Sequence, residues 1–475
     1  MLRALLAVPR QGVLRAWDRD PALLRHLLDD PEVREGCRRG QLTLHLGSDI
    51  VDLHGATHVI GHPLLRAVYW RELHYLRHPG APCTLICDGG LFVDDVSQAL
   101  TGAGRRLYTL DLAQDDPAAL GPLAARLGAD VVISINHVPG LATACRDAGL
   151  PLAVWEIDPA IDPIRPEGPS EHVTIHTFRA ANVPRFRDAG FGRVHYLPLA
   201  SNPRLRDPSR VPAQDIAAHQ APVAFVGSSM VSQARHLRTV FLDDLAGWLS
   251  GRGVAEAHET ARTYLDEVLR AQTTDRSTFR IPELLDQRVP GYRAGATRYD
   301  PSLLAGEVAA SEKRLTWISH LAAYGVQVWG DEGWKSVAKH GVRYRGAAGH
   351  RRQLTAIYST DAVHVDIGRI YQSDIVTMRV FDVLCCGGFL LAEHSDALAD
   401  LFAIGAELDS YRTLDELVDK VGYYLARPEL RRAIAERGQA RVRRDHTIAA
   451  RVRAITESLA RPPDAPGRSR SDRGR

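Results

Sequence analysis

Short apolar runs alternate with helix-period segments through most of this chain. Between residues 82 and 155, four short apolar runs are separated by segments whose apolar positions recur every three or four residues. Strands that alternate with helices at this spacing form right-handed βαβ units, in which helices cover both faces of a parallel sheet. The predicted strands are 84–87, 106–110, 131–135 and 152–155, and the predicted helices between them are 92–100, 117–127 and 141–148.

The same alternation returns in the second half of the chain. Strand-like runs at 173–178 and 194–197 are followed by a proline-dotted stretch, 199–222, which is typical of a domain linker. A new strand is predicted at 223–226, and residues 254–310 show helical periodicity without a strand, which indicates a helical insertion. The alternation then resumes at 314–324, 326–329, 342–345, 354–358, 362–367 and 389–392.

These patterns predict an α/β protein with two consecutive doubly wound domains. A chain of 475 residues is too long for one ordinary core, which agrees with this division. The cleft between two such domains is the default ligand site. The predicted divisions are an N-terminal extension of mixed structure (1–80), a first domain (81–210), a second domain with the insertion (211–460) and a disordered tail (461–475).

The stretch 364–407 contains the strongest local pattern. Val376, Val380 and Leu384 mark a helix packed on a sheet, and Gly387-Gly388 fits its end. Arg379 and Asp382 are three residues apart on this helix, so an intrahelical ion pair is one explanation. The helix is otherwise strongly apolar, where a carboxylate is costly unless a group donates to it. Ribose hydroxyls are donors that would fit Asp382.

A second candidate lies at the start of the second domain. Gly227-Ser228-Ser229 ends a strand and opens a helix, so its backbone N–H groups could hold a phosphate. Arg235 lies about two turns into that helix. A tight turn without a ligand is the alternative interpretation.

Polar residues also end the predicted strands of the first domain. They are Asp88-Gly89-Gly90, Asn136-His137, and Glu156 with Asp158. The carboxyl ends of parallel strands meet at one edge of the sheet, where ligands usually bind. Each could therefore meet a substrate, although Asp and Asn are also common turn and cap residues.

Composition excludes several classes of protein. A net charge of +2 gives no general attraction to nucleic acid. The sequence has no GxGxxG, GxxxxGK[ST], HExxH or CxxC motif, which removes the main support for nicotinamide, P-loop and metal sites. Asp94-Asp95 lies in the first turn of a predicted helix, where carboxylates favour the dipole without any metal.

The six cysteines and the N-terminus favour a cytoplasmic protein. Four cysteines lie in apolar runs, as buried reduced thiols do. The N-terminal apolar run is shorter than a signal-peptide core, and no run approaches the length of a membrane span. Between residues 427 and 453 there are nine arginines against three acidic residues. A solvated helix face is the default interpretation, and contact with an anionic membrane surface is the alternative.

Seven ordered segments between residues 152 and 455 carry a resemblance to a known family. They are WEIDP (155–159), HYLPLASNP (195–203), AFVGSSM (224–230), VWGDEGW (328–334), MRVFDVLCCGGFLL (378–391), LFAIGAEL (401–408) and the closing RDHTIAARV. Together they make the chain resemble the CgeB-like (spore maturation protein) glycosyltransferases of the GT-B superfamily. The extension 1–80 and the insertion 254–310 fall outside the similarity.

The resemblance implies two Rossmann-like domains that face each other across a cleft, with a nucleotide-sugar donor on the second and an unidentified acceptor on the first. Asp382 stands where the family usually has a glutamate that holds the donor ribose, and Asp366 stands where asparagine is expected. The other matched donor positions are Gly227 with its turn, Arg345-Gly346, Gly387 and Gly388.

Sugar transfer from a nucleotide diphosphate builds negative charge on the leaving pyrophosphate. An enzyme that uses no metal must offset that charge with backbone N–H groups and arginines, for which the Gly227 turn, Arg235 and Arg379 are the candidates. The candidate bases are His137, Asp88, Glu156 and Asp158, although a retaining reaction needs none. We therefore expect a glycosyltransferase without a cofactor or metal. The alternatives are a non-catalytic nucleotide- or sugar-binding protein of the same architecture and, third, a GT-A metal enzyme.

Overall fold

The computed structural model describes residues 2–8, 12–56, 58–60, 63–112, 116–158, 172–295 and 299–460. The predicted disordered tail 461–475 and most of the proline-rich loop after Asp158 lie outside these residues. The strands are β1 Leu14–Asp18, β2 Leu42–Leu46, β3 Cys83–Cys87, β4 Arg106–Leu110, β5 Ala129–Ile135, β6 Leu152–Glu156, β7 Val173–Thr177, β8 Arg193–Tyr196, β9 Val223–Val226, β10 Val326–Trp329, β11 Arg343–Tyr344, β12 Val363–Asp366, β13 Phe389–Glu393 and β14 Asp409–Tyr411.

Helices connect and cover these strands. In the first half they are α1 Leu2–Leu6, α2 Pro21–Leu27, α3 Pro31–Arg38, α4 Pro63–Val68, α5 Trp70–Arg77, α6 Val93–Gly102, α7 Leu120–Leu127, α8 Leu141–Asp147 and α9 Asn182–Asp188. In the second half they are α10 Ala213–Ala217, α11 Val231–Ser250, α12 Ala257–Thr273, α13 Ile281–Arg288, α14 Tyr292–Gly295, α15 Pro301–His320, α16 Lys335–Ala338, α17 Arg352–Tyr358, α18 Met378–Cys385, α19 Asp396–Leu401, α20 Leu414–Leu425, α21 Pro428–Asp445 and α22 Ile448–Ala460.

The first large sheet has six parallel strands in the order β4-β3-β5-β6-β7-β8. Strands β3, β4, β6 and β7 are buried along their whole length, because helices cover both faces of the sheet. The strand order reverses between β3 and β5. The loops after these two strands, which carry Asp88 and His137, therefore flank the crevice of this domain.

The second sheet is also parallel and has six strands, in the order β11-β10-β9-β12-β13-β14. Counted in chain order this is 3-2-1-4-5-6, the doubly wound order of a dinucleotide-binding domain. Its switch point lies between β9 and β12. The predicted fold class is confirmed: the protein is α/β with two Rossmann-like sheets.

The insertion between β9 and β10 is helical, as the periodicity of residues 254–310 predicts. Helices α12, α13 and α14 pack with α11 and α15 around a separate apolar cluster that includes Phe241, Leu265 and Leu285. Helix α15 continues from the insertion into the second domain, so it carries side chains from one to the other.

The N-terminal extension packs on the first domain, because Ile50, Leu53 and Tyr75 belong to the apolar core of that domain. Strands β1 and β2 pair in parallel as a two-stranded sheet. At the other end of the chain, α22 packs against α6 and β7 of the first domain. The chain therefore crosses between the domains twice, once through the segment before β9 and once through α22. No helix of the described residues combines the length and apolar character needed to span a membrane.

Candidate active site

The Gly227 turn lies at the switch point of the second sheet. An ideal Cβ at Gly227 would lie 2.5 Å from the Nη2 atom of Arg379 and 3.1 Å from the Phe225 ring. Only glycine fits there without displacing the guanidinium. The arginine therefore lies directly against the end of β9.

Arg379 joins the two strands of the switch point. Its Nε donates to the carbonyl of Val226 at 2.6 Å, and Nη1 pairs with Asp366 at the end of β12. Its guanidinium also lies 4.7 Å from the centre of the Phe225 ring. The structure thus replaces the predicted Arg379–Asp382 ion pair with an Arg379–Asp366 pair.

Arg314, on α15, makes a second bridge between the same loops. Its Nη1 donates to the carbonyl of Ser228 at 2.7 Å, and Nη2 donates to the carbonyl of Ile367 at 2.8 Å. Burial, together with the nearby charges of Arg379 and Arg369, lowers its pKa to about 10. Within the described residues no carboxylate forms a salt bridge with Arg314. Its positive charge is therefore uncompensated by direct pairing.

The loop from Ile367 to Thr377 follows β12 at this switch point. Arg369 is its partly exposed cation, with 29% of its side chain exposed and a salt-bridge contact to Glu307 at 3.9 Å. Tyr371 donates to Glu307, which is buried on α15. Lys313 is also buried on α15 and pairs with Glu393 at the end of β13, while the other oxygen of Glu393 accepts from the Gly368 N–H at 3.0 Å.

The phosphate cradle at Gly227-Ser228-Ser229 stays a prediction, and in this conformation several N–H donors of the turn already have partners within the protein. The Ser229 N–H donates to Asp331 at 2.8 Å, and the Met230 N–H donates to the Ser228 hydroxyl at 2.9 Å. Burial raises the pKa of Asp331, but hydrogen bonds from the two serines outweigh burial and lower it overall. An ionised carboxylate therefore occupies the position predicted for a phosphate.

Asp382 is not free to hold a ribose. It is buried, with the Ser201 hydroxyl donating to Oδ1 at 2.6 Å and Arg206 Nε donating to Oδ2 at 2.8 Å. Arg206 is itself buried and also donates to the carbonyl of His350 at 2.7 Å. The donors that this carboxylate requires are therefore supplied by the segment before β9, and the ribose contact of Asp382 stays a prediction.

Gly387 and Gly388 lie at the wrong edge of the sheet for donor binding. They connect the end of α18 to the start of β13, and helix-to-strand connections of parallel units lie at the amino edge. Gly387 has a φ of +80°, and a Cβ at Gly388 would lie 2.5 Å from the carbonyl oxygen of Tyr358. Their function is to close the helix and let the chain pass this carbonyl.

The remaining predicted donor residues lie apart from the two bridging arginines. Arg235 is exposed on α11, and no described contact joins it to the switch point. Arg345 follows the edge strand β11, where its Nη2 donates to the carbonyl of Ala218 at 3.1 Å. The Gly346 carbonyl accepts from the Gly330 N–H at 2.9 Å. A contact of Arg345 and Gly346 with the nucleobase of the donor stays a prediction.

Among the candidate bases of the first domain, Glu156 has the most unusual setting. It is buried at the end of β6, and its Oε2 has no hydrogen-bond partner. Burial raises its pKa more than hydrogen bonds from Thr177 and Asn182 lower it. A carboxyl with an unpaired oxygen and raised pKa suits a general base.

The other three candidates are more ordinary. Asp158 is exposed and accepts from the side-chain amide of Asn136 at 2.6 Å. Asp88 is exposed after β3, and His137 is half-buried after β5. All four candidates lie at the carboxyl edge of the first sheet, as the strand-end pattern predicts.

One ion pair joins this edge to the loop of the second domain. Arg179 follows β7, and its guanidinium donates to both oxygens of Asp374 at 3.0 and 2.7 Å. The positive charge of Arg179 also acts on Glu156. The buried carboxyl and the loop with Arg369 therefore face the same inter-domain contact.

Two further expectations concern metals and the arginine-rich helices. Within the described ranges no three His, Cys, Asp or Glu side chains form a cluster that could hold a metal. Metal-independent chemistry stays a prediction. Several arginines of 427–453 have internal partners: Arg431 and Arg451 are buried and donate to backbone carbonyls, and Arg441 pairs with Asp445. These contacts account for much of the arginine run without a membrane.

Sequence reasoning missed Arg314, Arg369, Arg179 and Arg206. Two of them had a signal: Arg314 follows Lys313 inside an apolar segment, and Arg369 follows a predicted strand end. The partners of Arg179 and Arg206 are separated from them by 195 and 176 residues, and nothing in a single sequence indicates such pairs.

Comparisons with known proteins give a family match over most of the second domain after the insertion. Residues 312–457 match the family Glyco_trans_1_2, described as glycosyl transferase-like. No curated protein matches the chain. These residues include Arg314, Arg369 and Arg379.

Solved structures with similar folds include three proteins of low identity. Anabaena Alr3699/HepE in complex with UDP-glucose is 12% identical, with a TM-score of 0.42 over 80% of this chain and 99% of that chain. A trehalose-phosphate synthase (UDP-forming) from Burkholderia vietnamiensis is 14% identical, with a TM-score of 0.42 over 80% and 99%. The sucrose-phosphate synthase from Thermosynechococcus elongatus is 11% identical, with a TM-score of 0.44 over 79% and 98%.

These structural likenesses are too distant to assign a substrate. The family match carries the assignment instead, and it confirms the expectation of a glycosyltransferase at the level of the domain family. Residues 312–457 are a glycosyl transferase-like domain, part of an enzyme that transfers glycosyl groups.

Proposed function

We propose that the protein transfers a sugar from a nucleotide-diphosphate sugar to an acceptor hydroxyl, with the donor bound at the switch point between β9 and β12. The observation that carries this proposal is the pair of arginines, Arg314 and Arg379, that bridges the two strand ends inside the matched family region. Ligands of open α/β sheets bind at this point.

The charges of the site suit the leaving group. In the transfer step the acceptor oxygen bonds to the anomeric carbon while the bond from that carbon to the diphosphate oxygen breaks. The nucleoside diphosphate leaves with the electron pair. Arg369 is the most exposed of the three arginines, with 29% of its side chain exposed against 13% for Arg379, so it is the group best placed to contact the diphosphate. Arg314 is buried without a salt bridge within the described residues, and its positive charge adds to the potential at this point.

The acceptor proton requires a destination if the transfer inverts configuration. Glu156 is the leading base because its Oε2 is unpaired and its raised pKa makes it a stronger proton acceptor. It lies on the opposite domain, next to the Arg179–Asp374 contact. A retaining reaction needs no such base.

Finer assignments are part of the same proposal. The motif string between residues 152 and 455 supports a CgeB-like enzyme, and the arginines at the switch point support metal-independent transfer. A cytoplasmic location and contact of residues 427–453 with an anionic membrane surface stay predictions. The alternative of a non-catalytic binding protein makes the same binding prediction but predicts no turnover.

The first prediction concerns Arg369→Ala. Losing a charge-assisted hydrogen bond to a diphosphate costs about 1.5–3 kcal/mol, so nucleotide-sugar affinity should fall about 10- to 100-fold. Thermal shift with a panel of nucleotide-sugars identifies the donor, and calorimetry then measures its affinity in both proteins. Arg262→Ala is the matched control, because Arg262 is exposed on α12 of the helical insertion and pairs there with Glu259. Its donor affinity should equal that of the wild type.

Two outcomes would contradict this proposal. Unchanged donor affinity in Arg369→Ala would place the diphosphate elsewhere. Binding without transfer to any acceptor and without donor hydrolysis would favour the non-catalytic alternative.

A further inference from the structure

A cavity of about 460 Å³ opens between the two domains, away from the bridging arginines. Asp94 lies in the first turn of α6 and Arg351 lies directly before α17, so both belong to the carboxyl edges of their sheets. The cavity therefore opens into the inter-domain cleft. The lining side chains that matter here are Val68, Trp70, Arg71, Asp94, Gln98 and Arg351.

The floor of this cavity is polar and fixed. Arg71 is buried; its Nε donates to the Ser97 hydroxyl at 2.9 Å, and its Nη2 donates to Asp94. Arg351 approaches the other oxygen of Asp94 at 3.4 Å. About half of the Asp94 side chain is nevertheless exposed, so it can still accept from a ligand hydroxyl. The Trp70 indole, the Asp94 carboxylate and the Gln98 amide line the same cavity. This combination suits a ligand ring that carries hydroxyl groups.

One wall of the cavity continues into an exposed apolar helix. All six residues of α4 are exposed, and Leu64, Leu65 and Val68 expose 71%, 43% and 54% of their surface. The backbone continues from α4 into α5, because the Tyr69 N–H donates to the Leu65 carbonyl and the Leu73 N–H donates to the Tyr69 carbonyl. Leu64 and Val68 are spaced i and i+4 on α4, so they lie along one side of it, and Val68 also lines the cavity. This apolar row ends at the cavity.

The exposure of α4 is not the result of a loose attachment. The Tyr69 hydroxyl donates to Asp18 at 2.6 Å, and its ring packs edge-on against Trp17. These contacts hold the junction of α4 and α5 on the small β1–β2 unit. An apolar surface that is held exposed beside a polar cavity marks a binding site.

We propose that the acceptor is an amphiphile, with a hydroxyl-bearing head such as a saccharide in the cavity and a hydrocarbon chain along α4. This inference rests on the proposed glycosyl transfer, since it names the class of acceptor. Because Val68 belongs both to the apolar row of α4 and to the lining of the cavity, one ligand with a polar and an apolar part can contact both. A protein partner or a second copy of this chain would cover α4 without occupying the polar floor.

Calorimetry with two soluble probes tests this inference without any donor. Dodecyl maltoside, kept below its micelle concentration, should bind at least 100-fold more tightly than maltose, because its chain removes apolar surface of α4 from water. Leu64→Ser/Val68→Ser should reduce that gain at least tenfold. Leu23→Ser on α2 is the matched control, since Leu23 is 49% exposed and does not line the cavity, and it should leave the gain unchanged.

Three results would overturn the inference. They are equal affinity for the two probes, an undiminished gain in Leu64→Ser/Val68→Ser, and a wild-type dimer that the double variant converts to monomer in sedimentation. The last result would show that a second copy covers α4. Because no nucleotide-sugar is present, failure here is separate from failure of the proposed donor site, which the Arg369→Ala experiment tests.

Discussion

Glu156 and Asp382 are both buried carboxyls, but their surroundings differ. Both oxygens of Asp382 accept hydrogen bonds, from Ser201 and Arg206. Glu156 keeps one oxygen without a partner, and burial raises its pKa. A buried polar group with an unmet hydrogen bond costs stability, so Glu156 should be visible in stability measurements as well as in activity.

The pH dependence of stability should reveal Glu156. Its pKa is raised in the folded state above its ordinary value of 4.5, so the folded protein binds this proton more tightly than the unfolded chain does. Stability from this group is present below pH 4.5 and is lost as the pH rises through the folded pKa. Glu156→Gln has no group that ionises at this position, so it should not lose this stability. At pH 8 its free energy of unfolding should exceed that of the wild type by about 1–3 kcal/mol. Urea unfolding at pH 4 and pH 8 measures this.

A catalytic base predicts a second effect in the same variant. If Glu156 takes the acceptor proton, Glu156→Gln should lower transfer about 10²- to 10⁴-fold while it gains stability. Asp158→Asn is the control, because Asp158 is exposed and bonded to Asn136. Wild-type transfer in Glu156→Gln would remove it as the base.

At the scale of elements, the local pattern of α18 predicts the helix but not its tertiary contacts. Its apolar spacing predicts a helix packed on the sheet, and its residues from Val380 to Cys385 are buried. The same spacing places Asp382 correctly on the helix but leaves its partner unknown. Because that partner, Arg206, comes from the segment before β9, the pattern suggested a ligand where the protein supplies its own cation.

Strands buried on both faces were the most predictable elements. The bounds predicted for β4, β9 and β10 are those observed, and in β9 no polar residue interrupts the apolar run. Strand β14 was missed because Asp409 and Ser410 are polar although buried, and their partners, such as Tyr424, lie on another element.

The segment from 63 to 76 illustrates a different limit. Its amphipathic period predicts one helix, but the structure divides it into α4 and α5 at Tyr69. Tyr69 is held by Asp18 on β1, a tertiary contact that the period does not encode. The same contact leaves α4 exposed beside the cavity.

The attachment of α18 can be tested through Asp382→Asn. Arg206 would remain buried with its carboxylate partner removed, and breaking a buried ion pair on one side costs about 3–5 kcal/mol. We expect a loss of that size in denaturant unfolding, with donor affinity within about threefold of the wild type. Asp366→Asn, which leaves Asp382 intact, is the comparison for donor affinity, because it frees Arg379 at the switch point. A large loss of donor affinity in Asp382→Asn at normal stability would restore the ribose assignment.

At the scale of the whole molecule, polar contacts tie the two domains together near the cleft. Arg206 reaches Asp382 on α18, Arg351 approaches Asp94, and Arg179 binds Asp374. Helix α22 returns to the first domain and packs on α6. The two sheets are therefore joined by both backbone crossings and side chains, and the loop with Arg369 is fastened at Asp374 by the opposite domain.

This fastening makes the loop from Ile367 to Thr377 depend on the first domain. Asp374→Ala removes the bidentate pair with Arg179, whose side chain is 16% exposed against 32% for Asp374. Partly exposed pairs contribute little to global stability, so the free energy of unfolding should change by less than about 1 kcal/mol. The loop itself should open more often, and backbone hydrogen exchange at 368–377 should accelerate about 5- to 10-fold.

Asp361→Ala is the control for this experiment. It removes an ion pair with Arg431 inside the second domain and should leave that exchange unchanged. Equal exchange in the wild type and Asp374→Ala would show that the loop is ordered by its own domain, through Tyr371 and Glu307, rather than by the first.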